Sequence, residues 1–436
     1  MNISMIVILS IVISIALGYR TKINTGLFAI VFAYFIGCFL LDMKAGEVIK
    51  TWPIGIFFVI FAVSLFYNFA LINGTLEKLA MHLLYLCRHF PKFLPLVIYF
   101  AATFVASLGA GFFTVLAFFA PLTLLLCRKT GMNKLVAAVA VNYGALGGAN
   151  FMTSASGVVF RGLIDNAGYS ANSFIYTSSI FLVSFILPIV VILLLIFLTT
   201  RGNNAVSGAL QVEKPAPFDS KQKLNLLLIF AMLLVVLAFP VMHLIMPDAK
   251  DIKFINARVD VGLVSIVFAV ISLFLKLGDE KKAIALVPWN TLIMICGVGM
   301  LIQVAIKAGT IDMLASWVGS SLPAAIVPFA LAIIGGMMSF FSSTLGVVCP
   351  ALFPIIPSIA SATGINAMIL FTATVIGAQA TAISPFSSGG SLLLGSCSED
   401  KERNELFPTL LFKAVPMCVF FALLSAERSP HNFPKA

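Results

Sequence analysis

Long apolar runs separated by short polar ones fill the chain, and their lengths predict helices that cross a membrane. Phe174–Leu198 and Leu224–Met246 each exceed the roughly 20 residues needed to span a bilayer core. Helices are expected near 3–18, 25–41 and 53–72. Segment 76–92 mixes Glu77, Lys78, His82, Arg88 and His89 with apolar residues and reads as an amphipathic helix along the interface. Residues 93–126 are apolar but interrupted at Ser107-Leu108-Gly109-Ala110-Gly111, which leaves two limbs too short to span. That pattern predicts a re-entrant hairpin. A second apolar stretch, 134–163, is broken at Gly147-Gly148-Ala149-Asn150-Phe151-Met152-Thr153-Ser154-Ala155-Ser156-Gly157, and 172–199 follows as a long helix.

The second half repeats the first. Gly26-Leu27-Phe28-Ala29-Ile30-Val31-Phe32-Ala33 recurs as Gly262-Leu263-Val264-Ser265-Ile266-Val267-Phe268-Ala269, Trp52 as Trp289, and Gly74-Thr75-Leu76-Glu77 as Gly309-Thr310-Ile311-Asp312. Further on, Pro121, Thr130-Gly131-Met132-Asn133, Gly144-Ala145, Ser154 and Gly157 correspond to Pro354, Thr363-Gly364-Ile365-Asn366, Gly377-Ala378, Ser387 and Gly390. Single matches among small residues are common, but a colinear series is a repeat. The second copy thus has helices near 224–246, 260–277 and 290–306, an interfacial segment near 310–320, a hairpin at 324–361, a broken helix at 367–396 and a last helix at 406–424. Residues 1–200 form the first copy, 201–223 a hydrophilic linker, 224–425 the second copy and 426–436 a tail. Five crossings separate equivalent helices; the number is odd, so the second copy enters upside down. The expected fold is an all-α polytopic membrane protein with about 10 transmembrane helices and two re-entrant hairpins in two inverted-topology repeats.

Composition agrees with a bilayer setting. Of 436 residues 61% are hydrophobic and 10% charged, against about 25% charged in soluble domains. The net charge of +10 does not imply nucleic acid, because the basic residues sit in short inter-helix loops. Seventeen Lys and Arg fall on one predicted side and nine on the other, so the richer side is read as cytoplasmic and both termini as outside, in a plasma (bacterial inner) membrane. The seven Cys lack metal-ligand or CxxC spacing and read as small packing residues, so neither disulfide nor metal site is implied. Ile3–Leu17 has no basic start or clear cleavage site and is read as a helix, not a signal peptide.

Backbone irregularity at membrane depth frees N–H and C=O groups that hydrocarbon cannot satisfy. In a transporter the cargo satisfies them: half-helix N-termini face an anion and freed carbonyls a cation. Four places qualify, the hairpin turns at Ser107–Gly111 and Ser342–Gly346 and the breaks at Gly147–Gly157 and Gln379–Gly390, each dense in Gly, Ser and Thr. The substrate candidates there are Ser107, Gly109, Asn150, Thr153, Ser154, Ser342, Ser343, Thr344, Thr381, Ser384, Ser387 and Ser388. The candidates for a coupling Na⁺ are Ser107, Gly111, Gly148, Gly157, Ser342, Gly346, Ala380 and Gly389. The other reading of such clusters is tight helix packing.

Charge narrows the cargo. No Asp, Glu, Lys, Arg or His lies between Asp312 and Glu399, and no acid between Glu77 and Asp165. A cationic substrate would find no counter-charge, whereas an anion held by dipoles and hydroxyls fits; neutral polar substrates stay compatible. The same absence disfavours a carboxylate proton relay and favours Na⁺ over H⁺ coupling. Lys413 reads as a snorkelling lysine before a counter-ion, and Arg161 as a cation at a half-helix C-terminus. Asn142 and Gln379 either bond between helices or touch cargo. His82, His89, His243 and His431 are scattered without ligand spacing. No hydrolase elbow, phosphate loop or HExxH occurs, and a non-enzymatic role follows, with no organic cofactor.

Asn24-Thr25-Gly26-Leu27-Phe28-Ala29-Ile30 through Tyr34-Phe35-Ile36-Gly37, Asn73-Gly74-Thr75-Leu76-Glu77-Lys78-Leu79 and Ile383-Ser384-Pro385-Phe386-Ser387-Ser388-Gly389-Gly390 resemble the MatC-type malonate/dicarboxylate carriers over most of the chain. Those carriers resemble the wider ion transporter superfamily, including the divalent anion:sodium symporters. The resemblance implies a homodimer with a scaffold and an elevator-moving transport domain. It also implies contacts to carboxylate and sodium from a Ser-Asn-Thr motif at each hairpin tip. Ser342-Ser343-Thr344 keeps its Ser and Thr; Ser107-Leu108-Gly109 keeps only the serine. The expected function is secondary transport of a malonate- or succinate-like dicarboxylate with sodium. The alternatives are the membrane subunit of a binding-protein-dependent (TRAP-like) carrier, or an exporter of another anion or drug-like solute.

Overall fold

The structure, a computed structural model, describes residues 3–86, 93–200, 214–246, 249–310, 313, 322–341, 343–397 and 399–427. Among the described residues there are helices and no strands. The first half comprises α1 (Ile3–Thr21), α2 (Thr25–Phe35), a short α3 (Ala45–Lys50), α4 (Ile54–Ile72), α5 (Thr75–Leu86), α6 (Leu94–Val105), α7 (Gly111–Thr130), α8 (Lys134–Ala149), α9 (Ala155–Ile164) and α10 (Ser173–Thr200). The second half comprises α11 (Ser220–Ile245), α12 (Lys250–Asn256), α13 (Val261–Phe274), α14 (Glu280–Ala285), α15 (Trp289–Lys307), α16 (Val327–Phe341), α17 (Thr344–Thr363), α18 (Ala367–Ala380), α19 (Ser388–Gly395) and α20 (Asp400–Ala426). Seven of these, α4, α7, α10, α11, α15, α17 and α20, are long and apolar enough to cross a membrane. Their outward faces stay apolar: Leu234 on α11 is 70% exposed and Phe412 on α20 72%, which lipid accommodates and water would not.

The two halves use the same local devices. At the turn before α8, Thr130 donates to Leu126 O at 2.7 Å, Gly131 takes φ +72° and Asn133 accepts from Leu135 N at 2.9 Å. Before α18, Thr363 donates to Ile359 O at 2.7 Å, Gly364 takes φ +71° and Asn366 accepts from Met368 N at 2.9 Å. The left-handed glycine ends one helix and the asparagine starts the next, so one tetrapeptide encodes one corner twice.

Packing between the halves is reciprocal. α2 lies on α15 and α13 on α4. Glycine sets each approach: a Cβ on Gly26 would meet Ile293 O at 2.3 Å, and one on Gly262 would meet Val59 Cα at 3.1 Å. Helix α6 packs along α8 as α16 does along α18, and α10 contacts α8, α9 and α18. The expected helices at 3–18, 25–41, 53–72, 224–246 and 290–306 appear with shifted ends. The expected last helix begins earlier, at Asp400, and Arg403 pairs with Asp400 at 3.0 Å in its first turn. Residues 87–92 of the first interfacial segment, most of 310–320, linker residues 201–213 and tail residues 428–436 lie outside the described residues.

Two ion pairs tie the halves at one end. Arg128, at the end of α7, donates to the buried Glu402 of α20 at 2.7 Å, and Lys134 at the start of α8 reaches Glu405 at 3.0 Å. The second pair is exposed, and its partner carboxylate holds Lys134 above the usual lysine value, a modest contribution at a wet surface.

Candidate functional site

Each broken element leaves a half-helix whose N-terminus lies in the interior. Between α6 and α7 the chain reverses through Gly109 (φ +94°) and Gly111 (φ +71°), values a side chain resists. Gly109 lies flat against the Tyr67 ring, leaving no room for a Cβ. Between α16 and α17, Ser343 is extended and its Oγ accepts from Gly346 N at 3.0 Å. Helices α9 and α19 start after Ser154 and Ser387, residue types that ordinarily cap. Neither does: Ser154 Oγ donates to Ala106 O at 2.7 Å, and Ser387 Oγ donates to Ala382 O at 2.6 Å and Ser384 O at 2.8 Å. The positive dipole ends of α9 and α19 are therefore left without a side-chain cap.

All four N-termini reach one cavity of about 60 Å³, enough for a few waters and tight for anything larger. Phe112 and Phe113 come from α7, Ser156 and Phe160 from α9, Ser343, Thr344 and Leu345 from α17, and Ser388 and Gly389 from α19. Leu146, Thr291, Ser339, Gln379, Ala382 and Ser387 complete it. The lining is apolar walls with hydroxyls, one amide and backbone, without a charged side chain. Such a cavity favours an anion through N–H dipoles while offering hydroxyl and carbonyl oxygens to a small cation.

The ends of α8 and α18 meet beside it. Asn150 Nδ2 donates to Gln379 Oε1 at 2.9 Å and Gln379 Nε2 donates back to Asn150 Oδ1 at 3.0 Å, both buried. Asn150 Nδ2 also reaches Ser184 Oγ at 3.0 Å, and Tyr143 donates to Ala380 O at 2.9 Å.

Of the residues proposed from sequence, Ser343, Thr344, Ser387, Ser388 and Gly389 lie on the cavity. Ser107 instead donates to Thr103 O at 2.8 Å and Thr381 to Gly336 O at 2.9 Å, while Ser384 Oγ accepts from Phe386 N at 3.2 Å. Thr153 is buried inside the first break. Gly148, Gly157 and Gly346 admit Thr103 O, Phe151 O and Met294 Cε where a Cβ would stand. Gly111 opens α7, and Ala380 offers its carbonyl to Tyr143. Ser342 lies outside the described residues. Sequence reasoning left Ser156, Thr291, Ser339 and the aromatic wall Phe112, Phe113 and Phe160 unassigned. The repeat could have flagged Ser156, which at the offset that pairs Ser154 with Ser387 corresponds to the candidate Gly389.

Two larger crevices flank the cavity. One, about 880 Å³, runs from Leu71, Ile72 and Glu77 past α7 to Ser388, and shares Phe113 and Ser388 with the central cavity. The other, about 630 Å³, is lined by Glu47, Lys50, Gln303, Lys307 and Pro350 among others and shares no lining residue with the centre.

Residues 1–149, which include the first hairpin, match the family model described as dicarboxylate carrier protein MatC N-terminus, so the resemblance to MatC-type carriers holds over these residues. No curated protein matches the chain significantly. Among solved structures, the YdaH transporter of Alcanivorax borkumensis shares the fold with a TM-score of 0.55 and 16% identity, over 88% of this chain and 86% of that one. The chain is an all-α, multi-pass membrane protein. Family match and fold together support a transporter.

Proposed function

We propose that the chain is a secondary active transporter of a small dicarboxylate, malonate- or succinate-sized, coupled to Na⁺ and working by elevator-type alternating access. The observation that carries this reading is the convergence of four half-helix N-termini on one uncharged, hydroxyl-bearing cavity, with α9 and α19 uncapped. Once the cavity widens beyond its present volume of about 60 Å³, a dianion can set one carboxylate toward the α9 end and the other toward the α19 end. Lys and Arg are absent from the lining, so a cation entering with the anion compensates charge. The matching corners and reciprocal packing favour two inverted copies, in which the hairpins and broken helices move as a body against α2, α4, α13 and α15. A homodimer in the bacterial inner membrane, with both termini outside, completes the proposal.

The test is uptake of radiolabelled malonate and succinate into proteoliposomes under an inward Na⁺ gradient, an inward H⁺ gradient, or neither. Accumulation that requires sodium is the expected result. Accumulation driven by protons alone refutes the sodium part, and failure to take up either acid refutes the dicarboxylate assignment.

A further inference from the structure

The central cavity has two unlike halves, and the repeat separates them. One offset pairs Ser154 with Ser387, Gly144 with Gly377, and the first residues of α7 and α17, Gly111 and Thr344. The packing follows the same offset: a Cβ on Gly144 would meet Tyr99 of α6, and one on Gly377 would meet the equivalent Ala332 of α16. At this offset Ser339, Ser343, Thr344, Gln379 and Ser388, all on the cavity, stand where the first copy has Ala106, Ala110, Gly111, Leu146 and Ala155. In the other direction, Phe112, Phe113 and Phe160 line the cavity where the second copy has Leu345, Gly346 and Leu393. Among the described lining residues, Ser156 is the one hydroxyl from the first copy. The second copy thus supplies a polar half and the first an aromatic half.

The aromatic half is firmly backed. Phe160 is fully buried, its ring 6.2 Å from that of Phe353, which in turn stands 4.7 Å from Phe371. Phe112 and Phe113 meet edge to face at 5.1 Å. Phe112 Cζ lies 3.1 Å from the point where a Cβ on Gly389 would stand, so its ring closes on the first turn of α19, the uncapped positive end proposed for a carboxylate. Several hydroxyls of the polar half are already engaged. Ser339 and Thr344 hold each other at 2.6 Å, and Ser387 gives its proton to the Ala382 and Ser384 carbonyls. The carboxylate oxygens of a cargo claim the donors that remain. A hydroxyl or amine elsewhere on the cargo is left facing phenyl rings, and burying such a group without a partner is costly.

We infer that Phe112, Phe113 and Phe160 determine specificity: the site admits acids whose chain between the carboxylates is bare or alkyl-substituted, and rejects those bearing a hydroxyl or amine there. The inference deepens the dicarboxylate reading above and rests on it, and it is independent of the coupling ion.

The experiment measures how unlabelled methylmalonate and hydroxymalonate compete with uptake of radiolabelled malonate into proteoliposomes of the full-length protein, at neutral pH, where both are dianions. Methyl and hydroxyl are close in size, so the ratio of the two half-inhibitory concentrations reads polarity and not bulk. The wild type is expected to need roughly ten- to a hundredfold more hydroxymalonate than methylmalonate, the range an apolar pocket reaches between such isosteres. Phe112→Ser sets a hydroxyl into the wall and is expected to lower that ratio by about fivefold or more, whatever it does to malonate uptake itself. If Phe112→Ser does not fold or transport, Phe113→Ser, at a ring already 44% exposed, gives the same reading. Hydroxymalonate competing as well as methylmalonate in the wild type overturns the inference. A wild-type ratio kept in the serine variant overturns the assignment to the aromatic wall. Where succinate and not malonate is taken up, methylsuccinate and malate form the pair. If neither acid is taken up, the dicarboxylate reading fails and this inference with it, a failure visible before any competitor is read.

Discussion

Thr344 and Ser107 both sit at hairpin tips, and their hydroxyls have different surroundings. Thr344 Oγ1 meets Ser339 Oγ at 2.6 Å on the cavity lining, whereas Ser107 donates one turn back to Thr103 O. In apolar surroundings a helical Ser or Thr often returns its proton to the preceding turn. Sequence shows the hydroxyl but not where it points, which is why the tips were legible and their working residues only in part. Thr344→Ala is expected to weaken apparent affinity for malonate by about 0.5–1.5 kcal/mol, or about 2- to 13-fold, with expression kept. Ser107→Ala is expected to change it little; equal losses in the two variants would remove the distinction. Glycines divide in the same way. Gly109→Ala forces a side chain to φ +94° and into the Tyr67 ring, costing about 1–2 kcal/mol for the backbone and about 1–3 more for the overlap. Gly395→Ala meets open space and is expected to be neutral or slightly stabilising. Unfolding midpoints of the two proteins, measured side by side, decide it.

At the scale of elements, interruptions rich in Gly, Ser or Thr located the turns before α7 and α17 and the breaks before α9 and α19, but α7 and α17 are long enough to cross a membrane where the sequence led to limbs too short to span. Short interfacial pieces escaped: α3 and α14 have six residues each, too few to show a period. Contacts between broken helices were also illegible, since Asn150 and Gln379 are not repeat equivalents and their reciprocal bonds exist only once α8 and α18 meet. Those two bonds join the copies at the centre, so α8 and α18 are expected to move together. Asn150→Ala strands the buried amide of Gln379, and Gln379→Ala strands Asn150 Oδ1 while Nδ2 keeps Ser184 Oγ. A double-mutant cycle on unfolding free energy is expected to give a coupling of about 0.5–3 kcal/mol. Additive losses would show that the pair merely shares a space.

For the whole molecule, the repeat makes the two crevices comparable, and their differences define the state. Matching the equal lengths of α4 and α15, Ile72 in one crevice corresponds to Lys307 in the other. Only the crevice lined by Ile72 shares residues with the central cavity. Under the orientation proposed from the basic-residue count that side faces the cytoplasm, and the arrangement then corresponds to the inward-facing half of the proposed cycle, with Ser388 exposed on the crevice that reaches it. A cysteine at Ser388 can report on this directly once Cys87 and the half-buried Cys38 are replaced by serine, because the native Cys127, Cys296, Cys349, Cys397 and Cys418 are buried. In the absence of substrate, Ser388→Cys is expected to react with a membrane-impermeant thiol reagent at least tenfold faster from the cytoplasmic side, in inside-out vesicles, than from the opposite side. Added malonate is expected to slow that reaction, because the residue also lines the central cavity. Faster reaction from the outer side would reverse the membrane orientation. Equal rates from both sides would mean that the two crevices exchange freely without cargo, and that the closed lysine-lined side is not a resting barrier.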